Sequence, residues 1–499
     1  MAYTELVIGL VGAIGTNMNV IAEELVQNFS KANCETEVIK LTDYLKIIND
    51  NSLSYVELCK SKIKNLEEIR TKNPGFLSYL AISKIFINRF KSKCEKKVKV
   101  YIINSLKNPH EYSILRHVYR RNFLFLSIYS SRDLREKNLK RKELVSNKKK
   151  LEESDEIEIK NLLDTGGFSN TSSTNTRETY HKAHYFINYD DFEFDLNRFT
   201  NLIMNEPFST PTIDEIGMAH AYVESLKSAD LSRQVGAVIL NDDGNILASG
   251  CNEVPKFGGG LHWCHTTPDL RDFNCHNDGV PLSEIVKQEK IDAIKETLES
   301  KEEISKELIS LLKDSLEFIR AVHAEKAAIC DAAKRGVPIN NATLYSTTFP
   351  CHLCAKHIIA SGIKRVVYVE PYPKSLSEQL FKGLIKDKAT KTDLNVVKFE
   401  SFRGVAPKRF RYLFKKYKSD RKNENKVKQW DIANSNPIHV SHSTVISYFW
   451  IEDQYSKVLI RESKEHLKDE FVNDLLSIET KKEQLFKTLL DDYSQDEII

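Results

Sequence analysis

His323-Ala-Glu325 is followed, twenty-five positions on, by Pro350-Cys351-His-Leu-Cys354. Few ways of folding a chain let these residues share one site, so the pair of motifs constrains the architecture more than any other feature. Cys351 and Cys354 stand three apart at a predicted helix start, which puts both sulfurs on one face. Pro350 suits the approach to such a start, and the positive end of the helix favours thiolates. His323 supplies a third ligand from the start of another helix. Hydrophobic periodicity predicts that frame: a helix over 320–335, a strand Thr343–Thr347, a helix over 351–361 and a strand Arg365–Val369, together an α/β layer. Three protein ligands leave a fourth tetrahedral position to water, the arrangement of a catalytic rather than a structural zinc. Zinc brings the pKa of such a water to about 7, and Glu325, close to the metal but not on it, is placed to carry its proton to a substrate. The competing reading is a structural Cys-Cys-His site, or core cysteines beside a helix histidine. Five residues in register on one helix–strand–helix frame favour the catalytic site, with one zinc per chain.

His-x-Glu followed by Pro-Cys-x-x-Cys is the signature of zinc nucleobase deaminases. The flanks narrow the resemblance. Ser228-Ala-Asp-Leu-Ser-Arg-Gln-Val-Gly-Ala-Val238, Ser249-Gly-Cys-Asn252-Glu-Val-Pro255, the Gly258–Gly260 run and Arg271-Asp-Phe273 resemble the deoxycytidylate deaminase family. That resemblance implies hydrolytic attack at the amino-bearing ring carbon of a deoxycytidine nucleotide, with ammonia leaving. It further implies that Asn252 contacts the nucleotide's sugar or base. Tyr372 and Lys374, in Glu370-Pro-Tyr-Pro-Lys-Ser375, are candidates for the pocket wall, a Pro-rich turn being the plainer reading. Arg233 either meets a substrate phosphate or pairs with a local carboxylate.

Upstream, the chain reads as another α/β domain. Leu6-Val-Ile-Gly-Leu10 is a buried strand that runs through Gly12-Ala-Ile-Gly15-Thr16 into a helical pattern at Ile21, Leu25 and Phe29. Val98–Ile103 and Phe123–Tyr129 are further strands, and the alternation with helices predicts a mostly parallel sheet. A kinase-like P-loop domain joined to the deaminase, with the stretch Phe402-Arg-Gly-Val-Ala-Pro407, resembles the bacterial anti-phage dCTP/dCMP deaminases over about residues 1–460. That resemblance implies conversion of dCTP and/or dCMP to deoxyuridine nucleotides, which starves phage replication of precursor. The expected organisation is a degenerate P-loop kinase-like parallel-sheet domain over 1–205, a cytidine-deaminase-like α/β/α domain over 212–420 with an insert at about 253–320, and a small C-terminal extension over 421–499. A phosphate-transferring loop needs Lys at the β/γ-phosphates and Ser/Thr on Mg²⁺. Met18 and Asn19 stand in those places, and Asn104 ends the second strand where an acidic metal partner is expected. Gly12, Gly15, Thr16 and Asn17 can still seat an anion on main-chain N–H groups, so a regulatory nucleotide site and a pure scaffold stay equally open. A working kinase is not expected.

Composition excludes more than it selects. With 73 Lys+Arg against 70 Asp+Glu, a net charge of +3 argues against a surface that is one nucleic-acid footprint. The charge is nonetheless uneven. Arg403–Lys428 holds eleven basic and two acidic residues among Phe410, Tyr412, Phe414 and Tyr417; from Glu462 onward there are eleven acidic and five basic residues. The basic stretch is read as an amphipathic helix with its aromatics in the core, in preference to a surface for single-stranded RNA or nucleotide phosphates. The opposite charges suit packing within the chain or between subunits of a homo-oligomer. Nine cysteines, most of them clustered, and no basic region ahead of an apolar N-terminal run point to the reducing cytoplasm. No apolar run approaches a membrane span. The pairs Cys264-His265 and Cys275-His276 match no common finger, so a second, structural zinc is not expected. Expected partners are deoxycytidine nucleotides, with a regulatory nucleotide, an inhibitory RNA or a small protein as the restraint. Rival readings are a nucleic-acid editing deaminase and a non-enzymatic nucleotide sensor with a structural zinc.

Overall fold

The computed structural model describes residues 3–46, 53–91, 94–147, 151–166, 175–297, 319–372, 375–387, 395–438 and 444–494. They form two compact units: Met1–Thr210 together with Arg403–Ile499, and Pro211–Phe402.

The first unit is built on β1 (Thr4–Gly12), whose nine residues are all buried, as a central parallel strand covered on both faces requires. With β2 (Glu35–Lys40), β3 (Val98–Asn104), β4 (Phe123–Tyr129) and β5 (Tyr185–Asn188) it gives the order β5-β4-β1-β3-β2, every neighbour parallel. The helix Met18–Lys31 buries Ile21, Leu25 and Phe29, the positions at which its apolar residues recur. With β3 on one side of β1 and β4 on the other, the loop after β1 opens at a topological switch point, where α/β sheets bind ligands.

A sixth strand, Gly404–Val405, runs antiparallel to β5, and here the structure corrects the expected boundaries. Residues from Arg403 onward neither extend the deaminase-like unit to 420 nor stand apart over 421–499; they pack into the first unit. Arg403 reaches Asp191 (2.6 Å), and Ile438 N–H donates to Ile203 O (2.8 Å). Leu413 is buried, with Tyr412 and Phe414 packed against the same core, whereas Tyr417 is exposed and the expected single amphipathic helix covers only Pro407–Phe414, since the chain past Phe414 breaks into a short helical turn and a small hairpin. Deeper in the unit, Arg89 of the helix Phe76–Lys91 donates to both oxygens of Glu5 on β1 (2.8 and 2.7 Å). It also donates to Glu452 Oε1 on the helix Thr444–Ser463 (2.9 Å), as does Tyr119 OH (2.8 Å). The three ionic side chains are at most 1% exposed.

His184 is buried in the same unit. Phe125 N–H donates to its Nδ1 (3.0 Å), so the ring is the neutral Nε2–H tautomer. Burial, reinforced by Arg409, pushes its pKa well below the ordinary histidine value. Below about pH 6.5 the unfolded chain binds this proton and the folded chain does not, so stability falls with falling pH, by up to about 1.4 kcal/mol per pH unit. Urea unfolding between pH 7 and pH 5 should show a dependence shallower by one proton in His184→Gln than in the wild type.

In the second unit, β6 (Gly236–Leu240) and β7 (Ile246–Cys251) form a hairpin through the turn residues Asn241-Asp-Asp-Gly244, with Gly244 at φ +81°. β8 (Thr343–Thr348) lies antiparallel to β6, while β9 (Arg365–Glu370), β10 (Ile385–Asp387) and β11 (Val397–Ser401) continue in parallel, giving β7-β6-β8-β9-β11-β10. Alternation sends Leu344 and Tyr345 to opposite faces of this sheet. Leu344 joins Ala324, Ala328, Ala355 and Ile358 of the helices Ala324–Arg335 and His352–Ala360. On the other face, Tyr345 lies against Gly217 of the helix Ile213–Ser225, where an added Cβ would come within 2.6 Å of the ring. The layers are α/β/α. Within the insert a charged helix spans Leu282–Thr297, and 298–318 lie outside the described residues. Among the described residues no helix is long and apolar enough to cross a membrane.

Candidate metal centre and active site

Two helix starts converge beside β8. His323 is the N-cap of Ala324–Arg335 and Cys351 the N-cap of His352–Ala360, both in extended backbone, and neither helix carries a side-chain cap. Cys354 follows one turn into the second helix. His323 Nδ1 lies 3.3 Å from Cys351 Sγ and 3.4 Å from Cys354 Sγ. An ion with Zn–S of about 2.3 Å and Zn–N of about 2.0–2.1 Å at tetrahedral angles holds N and S about 3.5 Å apart. The three donor atoms, all within 4.8 Å of one another, fit one such ion. Two sulfurs and an imidazole suit zinc chemically as well. Cys354's hydrogen bond brings the Cys351 thiol down to about 4, and in return Cys354 holds its own proton far more tightly than an ordinary thiol. His323 is raised by its hydrogen bond with Cys351.

Glu325, two residues beyond His323, is 4% exposed. Ser346 Oγ on β8 donates to its Oε1 (3.3 Å), and burial raises its pKa against the opposing pull of His323. A carboxyl group in that setting can hold or release a proton at neutral pH.

The structure adds three residues to the site that sequence reasoning missed. Ser346 carries no local signal, because its contact depends on which face of β8 it occupies. Glu253 is 1% exposed; its main chain bridges Val322, just before His323 (3.3 and 3.0 Å), and its carboxylate accepts from Ala229 N–H (2.8 Å). Gly250 on β7 lies directly beneath the first helix: an added Cβ would stand 2.5 Å from Ala328 N and 2.8 Å from Ala324 O. A glycine inside a strand pattern does signal close backbone approach. Gly250→Ala must therefore push away the helix start that carries His323 and Glu325. The expected cost is about 1–3 kcal/mol of stability and, through misplacement, a fall in kcat toward 10²-fold; thermal unfolding and rate assays on one preparation check both.

The remaining expected residues are placed as follows. Asn252 is buried, its Oδ1 accepting from Val235 N–H (2.7 Å) and its Nδ2 donating to Arg233 O (2.7 Å). It closes the segment leading into β6. Arg233 pairs with Glu370 (3.0 Å), the carboxylate alternative. Tyr372 is half-buried beyond β9, and Lys374 lies outside the described residues. All nine cysteines are free. Cys264 Sγ and His265 Nδ1 are 3.9 Å apart, and the side chain of His276 lies outside the described residues. In the first unit, Gly12 ends β1, Gly15 turns at φ +88°, and Asn17 is the N-cap of Met18–Lys31. Thr16 is buried with no hydrogen-bond partner for Oγ1.

A buried carboxyl group beside a His-Cys-Cys cluster on an α/β/α frame defines an enzyme of the deaminating hydrolase class. Residues 211–370 match the cytidine and deoxycytidylate deaminase zinc-binding region. The deoxycytidylate deaminase of Enterobacteria phage T4 is 34% identical over 158 residues, 31% of this chain and 76% of that protein. A probable deoxycytidylate deaminase of Drosophila melanogaster is 30% identical over 156 residues, 31% of this chain and 58% of that protein. Among solved structures, the dCMP deaminase of cyanophage S-TIM5 aligns at 22% identity over 39% of this chain and all of that chain, with a TM-score of 0.22. The chain belongs to the cytidine and deoxycytidylate deaminase family.

Proposed function

We propose that the protein hydrolyses deoxycytidine nucleotides, dCMP and/or dCTP, to the deoxyuridine nucleotides and ammonia. The observation that carries this reading is Glu325, a buried carboxyl group two residues beyond the candidate ligand His323 and hydrogen-bonded to Ser346. His323, Cys351 and Cys354 would hold zinc, which when bound acidifies a water molecule and polarises the group it contacts. Glu325 takes one proton from the attacking water and gives it to the ring nitrogen beside the amino-bearing carbon as water adds there, then carries the second proton, from the added hydroxyl, to the amine as the C–N bond breaks and ammonia leaves. Ser346 holds the carboxyl group in place during the transfer. Asn252 shapes the pocket by fixing the Arg233–Val235 segment, Arg233 is engaged by Glu370 (3.0 Å), and Tyr372 and Lys374 are the side chains assigned to substrate.

The first unit is assigned a degenerate P-loop kinase-like fold, supported by the switch point at β1 and the Gly12–Asn17 loop. The assembled protein is read as a cytoplasmic homo-oligomer that depletes the deoxycytidine nucleotide pool in anti-phage defence, restrained by a nucleotide, an RNA or a small protein until infection. Incubating the full chain with dCMP, dCTP and cytosine-containing oligonucleotides, with and without added zinc, tests the reaction. Deoxyuridine mono- or triphosphate is the expected product. Uracil appearing only in the oligonucleotide would overturn the reading in favour of nucleic-acid editing.

A further inference from the structure

Five cations of the first unit stand together at the end of its sheet where β4 and β5 begin, away from the loop after β1. They are Arg116 on the helix Pro109–Tyr119, Arg121 just ahead of β4, Lys182 just ahead of β5, and Lys408 and Arg409 on the helix Pro407–Phe414. We infer that they form a binding site for a short free chain of phosphates, pyrophosphate being the simplest, recognised by its charge and not by a base. The inference does not depend on the deaminase chemistry. Open α/β sheets take nucleotides at the opposite end, beyond the carboxyl ends of the strands.

The cluster lacks a counter-ion. Among the described residues none of the five cations pairs with a carboxylate; Arg116 and Arg121 are the charged groups that act on Arg409, and Lys182 the one that acts on Lys408. Arg409 is 6% exposed, and its Nη2 donates to a neutral acceptor, Phe123 O (3.2 Å). Burial and Arg116 bring its pKa down to about 10. Enclosing a guanidinium without an anion is costly, and here it is enclosed beside further cations. An oxyanion that accepts from its fork would remove that cost.

A neutral donor completes the site. His184, held neutral by burial and by Arg409, Arg116 and Lys408, lies among these residues. Its Nδ1 accepts from Phe125 N–H, so its Nε2–H donates to the hydroxyl oxygen of Tyr112 (3.3 Å). The phenolic hydrogen of half-buried Tyr112 is thereby left to donate, beside the ammonium of Lys182, which lies 6.0 Å from the Tyr112 ring centroid. A donor hydroxyl among surplus cations suits an anion that accepts hydrogen bonds.

The rings in the cluster argue against a nucleic acid. Arg121 and Arg409 lie over Tyr412, at 5.9 and 5.2 Å from its centroid, and the Tyr112 ring is packed by Phe123 and Phe125 at 5.9 and 5.3 Å as well as by Lys182. These rings are engaged, whereas single-strand binders offer aromatic faces on which bases stack. A single phosphate group, at about −2 near pH 7, leaves most of the cluster uncompensated. Linked phosphates compensate more of it and span more of the five side chains.

Calorimetry on the full chain in low-salt, magnesium-free buffer tests this, with pyrophosphate, inorganic phosphate, ATP and a short oligodeoxythymidine as titrants. Pyrophosphate should bind saturably, and about ten-fold more weakly in Lys182→Gln and in Lys408→Gln, the loss of one charge-assisted hydrogen bond each. Tyr112→Phe should weaken it as well, with no change of charge. Thermal melts confirm that each variant is folded. No heat with pyrophosphate, or heat indifferent to both lysine variants, overturns the site. Inorganic phosphate binding as tightly as pyrophosphate overturns the assignment to a chain. ATP or the oligonucleotide binding more tightly than pyrophosphate, with the same dependence on Lys182 and Lys408, overturns it in favour of a nucleotide tail or a nucleic acid.

Discussion

Replacing Glu325 by alanine is expected to abolish measurable deamination and to leave the metal content unchanged. The side chain is buried next to the donor cluster and bonded to Ser346 Oγ, but it is not among the three donor atoms that converge within 4.8 Å. Its loss removes proton transfer, which contributes about 10²–10⁴-fold in general acid–base catalysis. It removes nothing that holds an ion. Glu325→Gln keeps shape and burial but cannot accept the proton, so it should be as inactive as the alanine variant. Cys351→Ser should behave differently, losing metal and activity together, because a hydroxyl is a far poorer zinc donor than a thiolate. Zinc per chain measured beside kcat on the same samples separates the roles. Loss of zinc in Glu325→Ala would assign that carboxyl group to the metal instead.

Arg89→Met is the substitution expected to unfold the first unit most readily. Arg89 is shared between Glu5 and Glu452, and all three side chains are almost completely enclosed. Removing the cation leaves two carboxylates facing each other without a counter-ion, at a cost of about 3–5 kcal/mol. Burial already raises the Glu452 carboxyl group, with Arg89 opposing it, so one of the two acids would take up a proton once the arginine is gone. Stability of the variant should consequently rise as pH falls from 7 toward 5, after subtraction of the His184 contribution. The double variant Arg89→Met, Glu452→Gln should recover part of the loss, since it removes a buried charge with its partner. Urea midpoints for the wild type and the two variants measure this, and equal midpoints for wild type and Arg89→Met would show the cluster to be neutral for stability.

The proposed metal centre was legible because its parts are local. Cys351 and Cys354 lie one turn apart, and His323 and Cys351 each begin a helix that flanks the same strand, β8. The flanking side chains were less legible. Asn252 matched a family pattern, yet its amide is spent on the main chain of residues 233 and 235, a contact decided by where the β6–β7 hairpin ends. Ser346 had no motif at all, and Glu253 lay inside the quoted Ser249–Pro255 stretch without a role of its own; their contacts follow from sheet register and from the bridge between Glu253 and Val322.

Sequence alone determined which residue types could converge on a metal and which helix starts would carry them, because ligand chemistry and short helical spacing are properties of neighbouring residues. It also showed that the loop after β1 had lost its lysine. Only the tertiary structure decided that Arg403–Ile499 belongs with Met1–Thr210, and that Lys408 and Arg409 meet Lys182 and Arg116 there. The physical reason is separation along the chain. Arg89 and Glu452 are 363 residues apart, and a buried ion pair of that kind leaves no periodicity, spacing or composition for a linear reading to find.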